Sequence, residues 1–142
     1  MLKNLKNYSI LSKISKKVKN EEIVDIILFG SSVKGKDNPK DIDISIIFRN
    51  KINLKLNKKI NKEYGKKGFN VHISSLTVDD FFIKPISLMK SIFFEGISLL
   101  NSKRILENYN LTAWSIYNYN LTNLKKSDRV RFVYLLKGRG KE

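Results

Sequence analysis

Apolar residues recur with a helical period in several segments of this chain, and lysine fills most positions between them. Apolar residues three or four positions apart line one side of a helix and predict that this side is buried. The segments with this period are 2–18 and 51–66, and a further helix is predicted from about residue 86 to 95, where Gly96 ends it. A shorter helix is predicted to begin at Thr77, because Thr77 and Asp80 have the spacing of a capping box. A last helix is predicted at about 102–118.

Four other segments are predicted as strands, the first from its short β-branched run and the next two from the alternation of their side chains. They are "IVDIILF" (23–29), "DIDISIIF" (41–48), "FNVHISSL" (69–76) and "ISLL" (97–100). Alternate side chains of a strand point to opposite faces, so Asp41, Asp43 and Ser45 are predicted on one face and the isoleucines on the other. This order of elements predicts an α/β (α+β) fold, with a small mixed sheet of about three to five strands flanked by helices.

Length and apolar content fit a single domain. With 142 residues, 42% of them hydrophobic, the chain can bury a core and is too apolar for a disordered segment. It has no cysteine and one histidine, which excludes disulfides, thiolate metal sites and histidine clusters. No apolar run reaches the roughly 18 residues of a membrane span, and no signal peptide is evident. We therefore expect a soluble, cytoplasmic protein.

The formal net charge of +15 favours a polyanionic partner such as nucleic acid, nucleotide phosphates or an acidic protein. A lysine-rich composition with solvated helix faces is the alternative, and both interpretations stay open. Residues 21–50 depart from the general pattern, since they hold six acidic and four basic residues. This net-negative stretch contains the most informative motif of the chain.

The segment "FGSSVKGKDNPKDIDIS" places a Gly-Ser pair after one strand and two aspartates at the start of the next. Asp41 and Asp43 project from the same strand face and repel each other unless a cation lies between them. Mg²⁺ prefers carboxylate oxygens and leaves coordination positions for phosphate. A turn at Gly30 and Ser31 offers backbone N–H groups and a hydroxyl to that phosphate. An ordinary loop followed by exposed acids on an edge strand is the alternative.

This segment resembles the signature of the minimal nucleotidyltransferases in the DNA polymerase β superfamily: an apolar strand, Gly-Ser, a variable loop, and Asp-x-Asp on the next strand. Nine residues separate Ser31 from Asp41 in this chain. The order of helices and strands is similar to the family's core over about residues 10–100. "FFEGISLL" also resembles the segment that closes many such domains.

The resemblance implies a role for each matching residue. Gly30, Ser31 and Ser32 are expected to form the turn that binds the nucleotide, and Asp41 and Asp43 to be the catalytic aspartates that bind the metal. The implied cofactor is Mg²⁺ (or Mn²⁺), and the substrate is an NTP. The implied acceptor of the nucleoside monophosphate is a hydroxyl of RNA, a protein or a small molecule. Some relatives modify a partner toxin protein, so a separate acceptor-binding subunit is compatible with this chain.

Catalytic members of the family usually carry a third carboxylate on the following strand, and this chain departs from that pattern. The inward face of its third strand offers three other polar side chains: Asn70, His72 and Ser74. His72 can act as a catalytic base or metal ligand, because an imidazole titrates near neutral pH. A histidine that is only hydrogen-bonded is the alternative. Asp79 and Asp80 are assigned to helix capping, and Glu95 to a solvated helix end.

Residues 103–142 are predicted to be a helical, basic extension packed on a nucleotidyltransferase-like domain at 1–102. The end of this extension mixes aromatic rings with cations, a combination that suits single-stranded nucleic acid. The cations are Lys125, Lys126, Arg129, Arg131, Lys137 and Arg139. Packing of its apolar residues on the core, with a solvated charged rim, is the alternative. Trp114, Tyr117 and Tyr119 are predicted to lie in the core or in a dimer contact.

Two functions are therefore predicted. The first is an Mg²⁺-dependent nucleotidyltransferase, which retention of Asp41 and Asp43 favours. The second is a catalytically impaired relative that binds nucleic acid or a partner protein, which the missing third acid favours. A homodimer is compatible with either function.

Overall fold

The computed structural model of the protein describes residues 7–34, 41–83, 86–112, 114 and 116–137. Within these residues the chain forms five α-helices and four β-strands. The helices are α1 (Tyr8–Val18), α2 (Leu54–Gly65), α3 (Val78–Ile83), α4 (Ile86–Glu95) and α5 (Lys126–Lys137). The strands are β1 (Ile23–Phe29), β2 (Ile42–Phe48), β3 (Val71–Thr77) and β4 (Ile97–Ser98). The first residues of the predicted helix at 2–18 lie outside the described part.

The four strands form one mixed sheet in the order β3-β2-β1-β4. β1 is antiparallel to both β2 and β4, whereas β2 and β3 are parallel. A parallel pair needs a crossover connection, and α2 supplies it between β2 and β3. This architecture, followed by the basic helix α5, confirms the predicted α+β fold with a small mixed sheet flanked by helices.

Both faces of the sheet are covered by helices. Ile42, Ile44 and Ile46 of β2 lie in a buried cluster that also contains the apolar side chains of α1 and α2. Ile47 lies in a second cluster, with Ile92 of α4. Because side chains alternate along a strand, Asp43 and Ser45 belong to the same face as Ile47, the face that α4 covers. The predicted separation of aspartates from the even-numbered isoleucines is thus observed.

Buried hydroxyl groups attach α1 to the rest of the core. Ser15 Oγ and Tyr64 Oη lie 2.6 Å apart and share a hydrogen bond between α1 and α2. Tyr8 and Ser12 donate hydrogen bonds of 3.1 and 2.7 Å to backbone carbonyls at the end of β4. Burial raises the pKa of Tyr64 to about 12, because a phenolate would lose its hydration there.

The start of α3 has the predicted capping box. The Thr77 N–H donates to the Asp80 carboxylate at 3.1 Å, and the Asp80 N–H donates to Thr77 Oγ1 at 3.0 Å. These two bonds satisfy N–H groups that the first turn of a helix leaves without partners. The assignment of Asp80 to helix capping is confirmed.

The predicted helix at about 102–118 is wrong. In the described part of this range only a 3-10 turn at Leu106–Tyr109 is helical, and Asn110 ends it in a left-handed conformation with φ 54°. The segment "ENYNLTAWSIYNYNLTN" is rich in Asn and Thr. These residues are poor helix formers, since their side chains compete for backbone hydrogen bonds.

The aromatic residues of this segment are exposed. Trp114 is 85% and Tyr117 is 72% exposed, so their predicted place in the core is wrong, whereas a dimer contact stays a prediction. Tyr119 meets Phe132 of α5 edge-on, with ring centroids 4.9 Å apart. The last residue of the buried core in the described part is Ile105. A domain boundary near residue 102, with packing of the extension on the domain, stays a prediction.

None of the helices in the described part of the chain combines the length and the apolar character that a membrane crossing requires.

Candidate functional site

Strand pairing brings the motif residues to one edge of the sheet. Because β1 and β2 are antiparallel, the end of β1 lies beside the start of β2, and Phe29 pairs with Asp43. Because β2 and β3 are parallel, they start together, and Asp43 pairs with His72. We call this place the motif edge; it consists of Gly30, Ser31, Ser32, Asp41, Asp43, Asn70 and His72.

Gly30 is the point where the turn meets the aspartates. Its φ of +73° lies in the left-handed region, which glycine adopts without strain. A Cβ at this position would lie 2.5 Å from Oδ2 of Asp43, closer than real side-chain atoms approach. The Asp43 carboxylate therefore lies directly against the backbone of the Gly-Ser turn, and any larger residue would displace it.

Asp41 is contacted by Asn70, the residue that directly precedes β3. The side-chain amide of Asn70 donates a hydrogen bond to Oδ1 of Asp41. The Asn70 carbonyl also accepts a hydrogen bond from the N–H of Ile42 at 3.0 Å. The sequence places Asn70 on the third strand but gives no sign of its partner, because the pairing of β2 with β3 depends on the fold.

His72 lies beside the second aspartate. Its Nδ1 is 3.5 Å from Oδ1 of Asp43. The side chain of His72 is 75% exposed and that of Asp43 is 30% exposed, so both can be reached from solvent. His72 therefore stands next to the aspartate that contacts the Gly-Ser turn.

The Gly-Ser turn is a 3-10 turn over Gly30–Val33. It is closed by a 3.2 Å hydrogen bond from the N–H of Lys34 to the carbonyl of Ser31. The Oγ of Ser32 is buried and has no hydrogen-bond partner among the described atoms. A buried hydroxyl without a hydrogen-bond partner lowers the stability of the folded state. Such a group in a folded protein usually binds a ligand or a water molecule or has another function.

Glu95 is not the solvated helix end that the sequence predicts. Its Oε1 lies 2.9 Å from Nζ of Lys34, the residue that follows the Gly-Ser turn. Its Oε2 is buried without a hydrogen-bond partner among the described atoms. The ion pair links the end of α4 to the residue after the Gly-Ser turn. No sequence signal identifies it, because the two residues are far apart in the chain.

The oxygen donors of the motif edge fit a hard cation that arrives with a nucleotide. Asp41 and Asp43 supply carboxylates, which Mg²⁺ and Mn²⁺ prefer. No three His, Cys, Asp or Glu side chains in the described residues are arranged as a complete metal site. Mg²⁺ is commonly bound by one or two carboxylates together with water and substrate phosphates, so two aspartates fit this mode.

An open groove of about 660 Å³ begins beside Glu95. Its walls are formed by α4 and by the irregular segment that follows the core. The residues that matter for its character are Lys90, Phe94, Glu95, Trp114, Ile116 and Tyr117. Because Glu95 also contacts Lys34, the groove lies next to the Gly-Ser turn.

The predicted nucleic-acid contacts lie on and next to α5. Five of these cations are exposed: Lys125, Lys126, Arg129, Arg131 and Lys137. Arg129 also donates hydrogen bonds to the carbonyls of Leu124 at 2.8 Å and Thr122 at 2.7 Å, so it supports the turn before α5. Arg139 lies outside the described residues. Nucleic-acid binding by this group stays a prediction.

Comparison with known proteins identifies the fold. The family model for "Polymerase beta, Nucleotidyltransferase" matches residues 12–105. A structure of a toxin–antitoxin with AMP-PNP contains a chain that is 13% identical, with a TM-score of 0.51. A mutant of the toxin–antitoxin MntA–HpeT contains one that is 12% identical, with a TM-score of 0.50. Each alignment covers 93% of this chain and 99% of the other. No curated protein matches the sequence significantly.

The family match covers more than half of the chain and includes the whole motif edge. The two solved structures share the arrangement of the sheet and its helices, and at these identities they show the fold alone. The chain belongs to the polymerase β nucleotidyltransferase family.

Proposed function

We propose that this protein transfers a nucleoside monophosphate from an NTP to a hydroxyl acceptor and releases pyrophosphate. The observation that carries the proposal is the contact between Asp43 and Gly30: a carboxylate lies against a turn whose backbone can approach phosphate oxygens. If Asp43 binds the metal and the turn binds phosphate, as we propose, the two groups act side by side, as nucleotidyl transfer requires.

Each group at the motif edge has a proposed task. The N–H groups of Gly30, Ser31 and Ser32 bind phosphate oxygens of the nucleotide. Asp41 and Asp43 hold Mg²⁺ (or Mn²⁺). A cation held by these two carboxylates would supply the positive charge that activates the acceptor hydroxyl and offsets the charge of the leaving pyrophosphate.

The transfer exchanges one phosphorus–oxygen bond for another. The acceptor oxygen forms a bond to the α-phosphorus, and the bond from the α-phosphorus to the bridging oxygen breaks, so its electron pair leaves with pyrophosphate. The hydroxyl proton must be taken up by a base. We propose Nε2 of His72, because Nδ1 faces Asp43 at 3.5 Å and the exposed ring can release the proton to water.

The acceptor proposed first is a hydroxyl group of a partner protein, ahead of RNA or a small molecule. The groove beside Glu95 is lined by exposed aromatic and aliphatic side chains, among them Trp114 and Ile116, which suit the side chains of a polypeptide. The fold is also shared with chains from toxin–antitoxin structures, one of them solved with AMP-PNP.

Incubation of the full chain with Mg²⁺ and each α-labelled NTP tests the reaction, with a lysate fraction of proteins or of RNA as acceptor. Label should pass to a macromolecule, and Asp41→Ala and Asp43→Ala should each abolish the transfer. Asp79→Ala is the matched control, because Asp79 is an exposed acid at the start of α3, at the other end of β3. Equal labelling by all variants, or no labelling with any NTP, contradicts the proposal.

The second candidate is a catalytically impaired relative that binds a partner protein or nucleic acid. The motif edge has no third carboxylate among the described residues, and exposed cations accompany α5. If the chain binds no NTP but binds single-stranded RNA or DNA with an affinity that falls steeply with salt, this second function is the correct one.

A further inference from the structure

Asn70 makes two different contacts with the start of β2. Its backbone carbonyl accepts the hydrogen bond from Ile42 N–H, which belongs to the pairing of the strands. Its side-chain amide is a separate group, and it donates to Oδ1 of Asp41. The strand pairing therefore uses only the backbone of Asn70. Its side-chain amide is not needed for that pairing and can donate to the carboxylate of Asp41.

Asp41 needs such a contact more than Asp43 does. Asp43 lies within β2 and is wedged against Gly30, with its side chain 30% exposed. Asp41 precedes β2 and is exposed, so neither the strand nor the core restrains its carboxylate. The terminal torsion of an aspartate is broad, and a donor on one oxygen restricts it. With Oδ1 bound by Asn70, the other oxygen is left for a cation.

We propose that Asn70 is a positioning residue: it fixes the Asp41 carboxylate in the orientation that binds the divalent cation. This inference rests on the proposed function, because it concerns the same cation. The neutral amide of Asn70 does not bind the metal itself. It holds the Asp41 carboxylate in the orientation in which that carboxylate binds the metal. In this chain the residue before β3 thus supplies an amide to Asp41, and β3 itself supplies an imidazole to Asp43 but no carboxylate.

Binding of Mn²⁺ to the full chain, measured by titration calorimetry with AMP-PNP present, tests this role without relying on activity. Asn70→Ala should raise the Kd for Mn²⁺ about 10-fold, the usual effect of removing a group that orients a metal ligand. Its melting temperature without metal should equal that of the wild type, because Asn70 is exposed. Transfer by Asn70→Ala should recover at high Mn²⁺ concentration.

Two further variants separate the amide from other effects. Asn70→Gln keeps the donor and should bind Mn²⁺ more tightly than Asn70→Ala. Asn61→Ala, at an exposed position of α2, should bind as the wild type does.

The inference is overturned if Asn70→Ala binds Mn²⁺ as tightly as the wild type, or if Asn70→Gln is weakened as much as Asn70→Ala. In both cases the wild type still binds Mn²⁺, so the proposed function stands. If the wild type itself binds no Mn²⁺ in the presence of AMP-PNP, the proposed function and this inference both fall.

Discussion

Gly30 determines both the backbone conformation after β1 and the position of the Asp43 carboxylate. Its positive φ turns the chain sharply after β1, and its missing Cβ makes room for the carboxylate of Asp43. Both requirements exclude other residues, one by strain and one by collision. The residue that terminates the strand is thus also the one that lets the turn approach the aspartate.

Gly30→Ala should destabilise the protein by about 1–3 kcal/mol, the cost of holding a non-glycine residue in this conformation. It should also weaken Mn²⁺ binding, because the new methyl group displaces Asp43. Urea unfolding and calorimetry measure the two effects. Gly65→Ala is the control: Gly65 ends α2, nothing lies within 4 Å of a Cβ there, and stability should not fall. Equal behaviour of the two variants would contradict this account.

Single hydrogen bonds also connect whole elements. The bond between Ser15 and Tyr64 joins α1 to α2 on one face of the sheet, and Asp25 joins β1 to β4. Both Tyr64 and Asp25 are ionisable groups whose pKa is raised by burial. The stability of each junction therefore depends on pH.

Tyr64→Phe should change the alkaline stability of the helix pair. The pKa of Tyr64 rises from 10.0 to about 12 on folding, so the neutral phenol favours the fold below pH 10 and this contribution is lost as pH rises through 12. As the pH rises from below 10 to above 12, the free energy of unfolding of the wild type should fall by roughly 2–3 kcal/mol because of this group. Tyr64→Phe should not show this fall. At neutral pH the variant should lose only about 1 kcal/mol, because Ser15 still donates to the Leu11 carbonyl.

Urea unfolding at a series of pH values measures this difference. Tyr134→Phe serves as the control, since Tyr134 lies on α5 and is 57% exposed. Identical alkaline limbs for the wild type and Tyr64→Phe would show that burial of the phenol does not carry the effect.

Asp25→Asn should stabilise the junction of β1 with β4 at neutral pH. Burial raises the pKa of Asp25 above 3.8, although Ser98 Oγ and the Ile26 N–H both donate to its Oδ1 at 2.7 Å. A raised pKa means that the protonated form favours the fold at low pH, and that this contribution is lost as pH rises through the folded pKa. An asparagine keeps an acceptor oxygen and has no charge to bury.

The increase in the free energy of unfolding of Asp25→Asn over the wild type should therefore be greatest near pH 7. It should vanish below about pH 3.8. Denaturant unfolding at both pH values tests it, with Glu21→Gln as an exposed control. A variant that is less stable than the wild type at pH 7 would refute the sign of this effect.

Across the whole molecule, the buried core and the basic apolar extension are distinct. Buried residues of the described part extend to Ile105, whereas α5 has none. Leu135 is 76% and Ile116 is 96% exposed, which is unusual for such apolar side chains. The described residues of the extension thus lie on the surface and add nothing to the buried core. The family match also ends at residue 105.

Removal of residues 111–142 should leave the free energy of unfolding within about 1 kcal/mol of the full chain, because none of the residues described in this range is buried. Removal of residues 104–142 is the contrasting case. It deletes the buried Ile105 and its 3.0 Å hydrogen bond to Gly96, and should cost at least about 2 kcal/mol. Urea unfolding compares the two, and an equal loss in both would show that the extension supports the core.

The pattern of the sequence determined most of the elements and part of the motif edge. The strands at 23–29 and 41–48 are recognisable because β-branched runs and strict alternation reflect local geometry. The Thr77–Asp80 capping box is also local. The supposed helix at 102–118 failed, because Asn and Thr outweighed a weak apolar pattern there.

The contacts of the motif edge depended on the fold. Nothing in the sequence pairs Asn70 with Asp41 or Lys34 with Glu95, since these side chains meet only after β2 has paired with β3 and α4 has packed on the sheet. Local spacing sets which face of a strand a side chain occupies. Long-range packing of the two apolar clusters determines which strands become neighbours and in what register they pair. For this reason the partners of both aspartates could be identified only from the tertiary structure.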